Sequence, residues 1–301
     1  MINPQDPTEL FTILKEIGKG ASGQVFVSKS KNNKLVAIKT VPLTVKTLPA
    51  TTKEIKFMKS IQHQNTLKYY SCYKKANDVW IVMELCECGS VQSILEKSGK
   101  GLEEKYIAAI TGQVLNGLKY LHEMDKIHRD IKSGNILINS AGVVKIADFG
   151  TSADDGQNRT TVIGSSYWMA PETLDQRGYD YKADIWSLGI TLIEMAEKDP
   201  PFFNLGSVEV VLQVTNNPPP SLKQPNKWTP NFKDFLNCCL QKEPAKRLGA
   251  AALLKKPWIT EVNPACIMEL VQDILSKKKS DDPALSYAPR KYGSESPRHS
   301  D

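Results

Sequence analysis

The amino-acid sequence predicts an α+β fold, with a small β-rich lobe joined to a larger, mainly helical lobe. Apolar runs of strand length dominate the chain up to about residue 85, where they surround a cluster of glycines. After Gly89 the apolar residues recur at three and four positions, which is the period of a helix. The 301 residues suffice for one large domain or two compact lobes. Because 41% of them are apolar, a wholly disordered chain is excluded.

The small lobe is predicted to span residues 10–83, after an N-terminal extension of residues 1–9 and before a hinge at 84–89. Its strand-like runs are Leu10–Ile17, Val25–Ser28, Lys34–Thr40 and Val79–Met83. The spacing of apolar residues predicts one helix in this lobe, over Lys53–Ile61.

The large lobe is predicted to span residues 90–260, with three apolar stripes at helical spacing. The first stripe is Ile107, Ile110, Val114, Leu118 and Leu121. The second is Ile185, Leu188, Leu192 and Met195, and the third is Phe232, Phe235, Leu236, Cys239 and Leu240. Thr229 and Pro230 before the third stripe predict an N-cap followed by proline in the first turn.

After residue 260 the composition of the chain differs from that of the large lobe. Residues 261–276 are predicted to form an amphipathic helix, whose apolar stripe packs on the large lobe or awaits a partner. That stripe consists of Ile267, Leu270, Val271, Ile274 and Leu275. From Lys277 to the end, Ser, Pro and charged residues predominate, so residues 277–301 are predicted to be disordered.

Composition excludes several classes of protein. The net charge is +6 but is spread along the chain, which argues against a nucleic-acid binder, because such proteins cluster their basic residues. The polar N-terminus does not resemble a signal peptide, and no stretch approaches the ~20 apolar residues of a bilayer span. We expect a cytoplasmic protein without an integral membrane segment. None of the six cysteines forms a C-x-x-C pair, so reduced thiols are expected rather than a zinc site.

The glycine cluster reads GKGASGQV over residues 18–25, which is a G-x-G-x-x-G-x-V pattern. Glycines let backbone N–H groups approach phosphate oxygens closely, although a plain hairpin would use them too. A dinucleotide-binding fold would need a helix after the glycines, whereas strands are predicted on both sides. In the next strand Ala37 and Lys39 share a face, which leaves room for a flat ring beside a cation. Glu54, in the predicted helix, is placed to hold that cation.

Two further clusters carry acidic and amide side chains in loops. HRDIKSGN spans residues 128–135, and Asp148-Phe149-Gly150 follows a short apolar run. Acidic and amide oxygens are suitable ligands for hard cations, and phosphoryl transfer needs a metal and a carboxylate that orients the attacking hydroxyl. Ala170-Pro171-Glu172 comes after them. Each triplet alone is weak, but all of them in this order form a very specific signal.

Over about residues 10–260 the chain resembles the eukaryotic protein kinase family. Within that family it is similar to the Ste20 group of serine/threonine kinases. Three segments most resemble the Mst/Hippo-like germinal-centre branch: KIHRDIKSGNILIN, DIWSLGITLIEMAE and NNPPPSLKQPNKWTPNFKDF. GKGASG is more similar to the p21-activated branch. The resemblance implies the bilobal protein kinase fold, with one regulatory helix in the small lobe.

The resemblance also implies catalytic roles. Asp130 would be the base that accepts or orients the substrate hydroxyl proton, and Lys132 would contact the transferred phosphate. Asn135 and Asp148 would hold Mg²⁺. Lys39 would contact the α- and β-phosphates of ATP and pair with Glu54. Glu172 and Arg247 resemble the buried ion pair of the large lobe, and Asp184 resembles its helix anchor.

The implied nucleotide site involves both lobes and the hinge. ATP would be held by Ile17, Gly18, Gly20, Gly23, Val25, Ala37, Lys39, Met83, Glu84, Cys86, Ser90 and Leu137. Within this set Met83 would be the gatekeeper, Glu84 and Cys86 would bind adenine through their backbone, and Ser90 stands where the family often contacts ribose.

The resemblance implies protein substrates and an activation loop between residues 148 and 172. Thr161 is the predicted phosphosite, modified by an upstream kinase or by another copy in trans, with Arg129 and Lys145 supplying positive charge. The alternative is that Thr161 is a solvated loop residue and that Thr160 or Ser165 takes the phosphate. Gly164-Ser165-Ser166-Tyr167-Trp168 departs from the family's Gly-Thr-Pro-Tyr/Phe-Trp. An adaptor or dimer partner through the C-terminal region remains open, as does the alternative of a pseudokinase scaffold.

Overall fold

The computed structural model describes residues 2–20, 23–45, 47–154, 166–174 and 178–281. Among them, five strands form the antiparallel sheet of the small lobe, in the order β1-β2-β3-β5-β4. Their bounds are β1 Phe11–Gly20, β2 Gly23–Ser30, β3 Leu35–Pro42, β4 Tyr69–Lys75 and β5 Asp78–Met83. β4 was not predicted, because YYSCYKK contains no aliphatic residue and ends in two lysines.

The register of the sheet separates two faces. Val25 pairs with Lys39, and Ala37 pairs with Met83, so these side chains share the face that points toward the large lobe. The opposite face forms its own apolar cluster, which consists of Val36, Ile38, Tyr73, Trp80 and Val82, with Leu10, Phe11 and Tyr70 packed against it. The N-terminal extension runs beside β4, because Asn3 N donates to Cys72 O at 3.0 Å.

The helix of the small lobe, α1, spans Thr47–Ser60 and begins before the predicted start at Lys53. The earlier start has a local cause. Thr44 and Thr47 exchange side-chain to backbone hydrogen bonds of 2.8 and 3.1 Å, which supply partners for the first turn. Pro49 is tolerated there because the first turn needs no N–H from it. Glu54 lies on the buried side of α1.

The large lobe is mainly helical. Its helices are α2 Val91–Ser98, α3 Glu104–Glu123, α4 Pro171–Leu174, α5 Lys182–Glu197, α6 Ser207–Asn216, α7 Pro230–Cys239, α8 Ala250–Leu253 and α9 Pro257–Thr260. Short strands at its upper edge are β6 Gly89–Ser90, β7 Lys126–Ile127, β8 Ile136–Ile138, β9 Val144–Ile146 and β10 Ala153–Asp154. The first two predicted stripes are confirmed, since every member lies fully buried on α3 or α5. Thr229 caps α7 as predicted, because its hydroxyl accepts from Phe232 N at 3.2 Å.

The last helix, α10, spans Ile267–Asp281 and packs on the large lobe. Ile267 and Leu270 are buried, and Glu269 accepts a hydrogen bond of 2.7 Å from Lys105 Nζ on α3. The stripe is therefore used within the chain rather than left for a partner. The disorder predicted from Lys277 is wrong for Lys277–Asp281, which continue the helix. Residues 282–301 lie outside the described part.

None of the helices in the described ranges combines the length and apolarity that a bilayer crossing requires. All six cysteines are free thiols, and most of them are buried. Burial raises the pKa of Cys88 to about 12, so this thiol stays protonated at neutral pH.

Candidate active site

A cleft of about 610 Å³ lies between the two lobes. The residues assigned to ATP from the sequence all line it: Ile17, Gly18, Gly20, Gly23, Val25, Ala37, Lys39, Met83, Glu84, Cys86, Ser90 and Leu137. Glu54, Asn135 and Asp148 line it as well. One cavity thus brings together β1, β2, β3, the hinge and the loops after β7 and β9.

The glycine loop is the turn between β1 and β2, and Gly20 pairs with Gly23 across it. Gly20 and Gly23 have different structural roles. Gly23 has a φ of +134°, and a Cβ there would lie 2.1 Å from Thr40 O. A Cβ at Gly20 would meet no described atom within 4 Å. The hairpin itself requires Gly23, whereas Gly20 leaves open backbone beside the cleft.

We expect Gly20→Ala and Gly23→Ala to separate ligand binding from folding. Gly20→Ala should fold with a melting temperature near that of the wild type but bind ATP more weakly, because its methyl group limits the approach of phosphates. Gly23→Ala should lower the melting temperature, because its Cβ collides with backbone. Thermal melts and ATP titrations of both variants check this. Equal melting temperatures would contradict the assignment of Gly23.

Lys39 on β3 is a buried cation in the cleft. Its Nζ donates to Glu54 Oε1 at 2.7 Å, and Asp148 Oδ1 lies 3.9 Å away. Burial by itself would lower the pKa of Lys39, but the carboxylates of Glu54 and Asp148 outweigh it and raise that pKa. Phe149 stacks on Phe57 of α1 with ring centroids 5.3 Å apart. The ion pair and the stacked rings together hold α1 against the cleft.

The loop of residues 128–135, to which the resemblance assigns the catalytic residues and which is called the catalytic loop below, brings the predicted acidic and basic groups into contact. Asn135 Nδ2 donates to Asp130 Oδ2 at 2.9 Å and to Asp130 O at 2.8 Å. Lys132 Nζ lies 2.8 Å from the same Oδ2 atom. The carboxylate of Asp130 is therefore fixed by an amide and an ammonium, and Asn135 links it to the cleft.

A buried carboxylate holds this loop in place. Asp184 on α5 is fully buried, and its two oxygens accept hydrogen bonds from His128 N at 2.9 Å and Arg129 N at 2.8 Å. His122 Nε2 lies 2.9 Å from Asp184 Oδ2. Burial favours a higher pKa, but the hydrogen bond from His122 and the neighbouring histidines lower the pKa of Asp184. These bonds fix Arg129 at a φ of +72°, just before Asp130.

Glu194, which was not predicted from the sequence, organises the other side of the loop. Its carboxylate accepts from Ser133 N at 3.1 Å and from Trp168 Nε1 at 3.0 Å. Burial raises the pKa of Glu194 despite these bonds. The sequence did contain an indication, because Glu194 is the charged residue in the mainly apolar run ITLIEMA over residues 190–196, where a buried carboxylate requires a partner.

The residues present fit Mg²⁺ bound together with a nucleotide. Both hydrogen atoms of the Asn135 amide are engaged by Asp130, which leaves its carbonyl oxygen for a cation. Asp148 supplies a carboxylate in the same cleft. No group of three His, Cys, Asp or Glu side chains suited to a metal occurs in the described ranges. A nucleotide-bound Mg²⁺ does not need one, because phosphates and waters provide most of its ligands.

An ion pair in the large lobe lies away from the cleft. Arg247 is 1% exposed, and its Nη1 and Nη2 donate to the two oxygens of Glu172 at 2.7 and 3.1 Å. Arg247 also donates to the carbonyls of Lys182 and Gln241. The Ala-Pro-Glu segment is thereby tied to the loop before α8.

The structure describes only part of the predicted activation loop. Thr161 and Ser165 lie outside the described residues. Arg129 Nε and Nη2 are buried and have no hydrogen-bond partner in the part of the chain that is described. The role predicted for Lys145 is wrong, because Lys145 is buried and its Nζ lies 2.8 Å from Glu84 Oε1 at the hinge. Lys145 on β9 pairs with Leu137 on β8, and this register directs the lysine side chain toward the hinge.

Comparison with known proteins agrees with this geometry. The family model for the protein kinase domain matches residues 11–259. The chain is 45% identical over 295 residues to serine/threonine-protein kinase 4 homolog A of Dictyostelium discoideum, covering 95% of this chain and 64% of that protein. It is 44% identical over 264 residues to serine/threonine-protein kinase cst-1 of Caenorhabditis briggsae, covering 86% of this chain and 53% of that protein.

The chain thus spans between about half and two thirds of the length of these relatives. Their similarity supports the Ste20 group and its Mst/Hippo-like germinal-centre branch. The bilobal fold predicted from the sequence is confirmed. With a family match that covers most of its residues, the chain belongs to the protein kinase family.

Proposed function

We propose that the protein is an ATP-dependent serine/threonine protein kinase, which transfers the γ-phosphate of ATP to hydroxyl groups of protein substrates. The observation that carries this proposal is the contact geometry of the charged side chains in and beside the cleft. Lys39 contacts Glu54 and lies near Asp148, and Asn135 holds Asp130. The names of the relatives support a serine/threonine kinase. A cytoplasmic location and a place in a Ste20-type signalling cascade are further parts of this proposal.

Adenine binding is proposed at the hinge. The amide of Glu84 donates to Lys68 O at 2.9 Å, and the carbonyl of Cys86 accepts from Gly89 N at 3.0 Å. The carbonyl of Glu84 and the amide of Cys86 are then the groups that bind the base. Leu137 lies below the base, and Ala37 provides space above it.

Phosphoryl transfer is proposed at the junction of the cleft and the catalytic loop. Asp130 orients the acceptor hydroxyl and accepts its proton, and Lys132 contacts the transferred phosphate. Asn135 and Asp148 hold Mg²⁺, which when bound neutralises charge on the phosphates. Lys39 binds the α- and β-phosphates and is positioned by Glu54.

A pseudokinase scaffold is the alternative. Such chains usually lose the lysine, the catalytic aspartate or the metal-binding aspartate. Here Lys39, Asp130, Asn135 and Asp148 are all present, and their contacts favour an enzyme.

A transfer assay tests the proposal. Purified protein is incubated with Mg²⁺, γ-labelled ATP and a generic basic protein, and the labelled amino acids are identified. We expect label on serine or threonine, and no label when Mg²⁺ is chelated. Protein that binds ATP but transfers no label, even after phosphorylation by an upstream kinase, would support the scaffold instead.

Activation is proposed to follow phosphorylation of Thr161, by an upstream kinase or by another copy in trans. The phosphate adds about −1.5 to −2 charge and can accept charge-assisted hydrogen bonds. Arg129 offers two buried donor nitrogens that lack partners in the described part. Such a contact would order the loop that receives protein substrates.

Thr161→Ala should therefore lose the gain in activity that the wild type shows when phosphatase-treated protein is re-incubated with ATP or an upstream kinase. Parallel assays with site mapping check this, and Thr160→Ala is the matched control. Full activity of Thr161→Ala, insensitive to phosphatase, would contradict the proposal.

A further inference from the structure

The end of α10 reaches the nucleotide cleft, although it lies outside the residues that match the kinase family. The family match ends at residue 259, whereas Lys278 is among the residues that line the cleft. Lys278 Nζ donates a hydrogen bond of 2.8 Å to Glu87 O, in the hinge. A C-terminal element thus contacts the backbone that is proposed to bind adenine.

The rest of α10 is held against the large lobe by packing and hydrogen bonds, and these contacts set the position of Lys278. Val271 is 1% exposed in the main core, and Met268 packs close to Gly142. At the beginning of the helix, Glu269 binds Lys105 Nζ at 2.7 Å and Tyr106 Oη at 3.1 Å. These contacts set the position of the helix end relative to the hinge.

Lys278 lies in a partly buried, positively charged setting. Burial and the nearby charge of Lys97 lower its pKa, while Glu87 acts in the opposite direction. Lys15, Ser93 and Lys97 line the same rim of the cleft. A half-buried ammonium among other cations needs a compensating partner, and the carbonyl of Glu87 is that partner.

We propose that Lys278 is a positioning residue for the nucleotide, which fixes the hinge through the Glu87 carbonyl and so orients the adenine-binding backbone of Cys86. The Glu87 side chain is held as well, because its Oε2 accepts from Ser140 N at 2.8 Å. Cys88 N donates to Ile138 O at 3.0 Å. With Lys278 in place, the segment after Cys86 is fixed by bonds from two separate regions, the end of β8 with the turn that follows it, and α10. Rigid placement of a binding group lowers the ordering that a ligand must impose.

This inference rests on the proposed nucleotide site, and a binding experiment can test the two separately. Lys278→Ala, Lys278→Arg and the control Lys279→Ala are prepared in the full chain, since Lys279 is an exposed neighbour on the same helix. Binding of ATP and of adenosine, which lacks phosphates, is measured by calorimetry, along with KM for ATP and kcat.

We expect Lys278→Ala to bind adenosine and ATP more weakly by the same factor, about 3- to 10-fold, with the loss in KM for ATP rather than in kcat. Lys278→Arg, which can still donate to Glu87 O, should recover part of the affinity, and Lys279→Ala should match the wild type. If only ATP binding weakens, the lysine acts by its charge on the phosphates and the positioning role is wrong. Unchanged affinity for both ligands would also overturn it. A wild type that binds neither ligand would instead overturn the proposed nucleotide site.

Discussion

Asp130→Asn is expected to lower kcat by on the order of 10²–10⁴, which is the usual contribution of a positioned general base. Asparagine preserves the size of the side chain but cannot accept the hydroxyl proton, and it also replaces the carboxylate beside Lys132. The affinity for ATP should stay close to that of the wild type, because Asp130 does not line the described nucleotide cleft. Steady-state kinetics at saturating ATP and protein substrate, with a parallel ATP titration, measure both quantities.

Asp125→Asn is the matched control for this variant. Asp125 is exposed and has a φ of +54°, a conformation that asparagine also adopts readily. It should keep wild-type turnover. Near-wild-type turnover of Asp130→Asn would mean that the proton acceptor has been assigned to the wrong residue.

Arg247→Ala is expected to lower the free energy of unfolding by about 3–5 kcal/mol, because it leaves a mostly buried carboxylate without its partner. The substitution removes both hydrogen bonds to Glu172 and the bonds to the carbonyls of Lys182 and Gln241. Urea unfolding followed by tryptophan fluorescence measures the change, since Trp186 lies 5.2 Å from the Arg247 guanidinium.

Lys246→Ala provides the comparison at the next residue. Lys246 pairs with Glu243 at 2.8 Å, but both side chains are mostly exposed. Removal of an exposed pair should change the free energy of unfolding by less than about 1 kcal/mol. If Arg247→Ala cost no more than Lys246→Ala, the pair with Glu172 would have no stabilising role.

The fold was largely predictable because its strongest elements carry periodic apolar stripes, as α3 and α5 do. The differences arise where partners outside the element decide the structure. β4 is held by its pairing with β5 and by the N-terminal extension rather than by its own composition. The end of α10 is helical at Lys278, where the side chain gains a hinge carbonyl. The composition of that segment shows only its charge and does not reveal this hydrogen bond.

The residues of the cleft were predictable because the motifs that carry them keep a fixed order along the chain. The directions in which individual side chains point were less predictable from the sequence. Lys145 was expected to face the activation loop, but the pairing of β8 and β9 turns it toward Glu84. Spacing along the sequence does not tell which neighbour a side chain on a short strand will meet. Glu194 was not predicted because its partners, Ser133 and Trp168, are distant in sequence.

The two buried nitrogens of Arg129 connect the proposed activation to heat resistance. Both nitrogens lack hydrogen-bond partners within the described ranges, and an unsatisfied buried donor costs about 1–3 kcal/mol. If Thr161 is phosphorylated as proposed, a phosphate bound to these nitrogens would act as an internal ligand of the folded state and would stabilise it. Many proteins trade stability for activity. In this protein, phosphorylation of Thr161 would raise stability and activity together. The melting temperature of a preparation would then report the fraction of molecules that carries the phosphate.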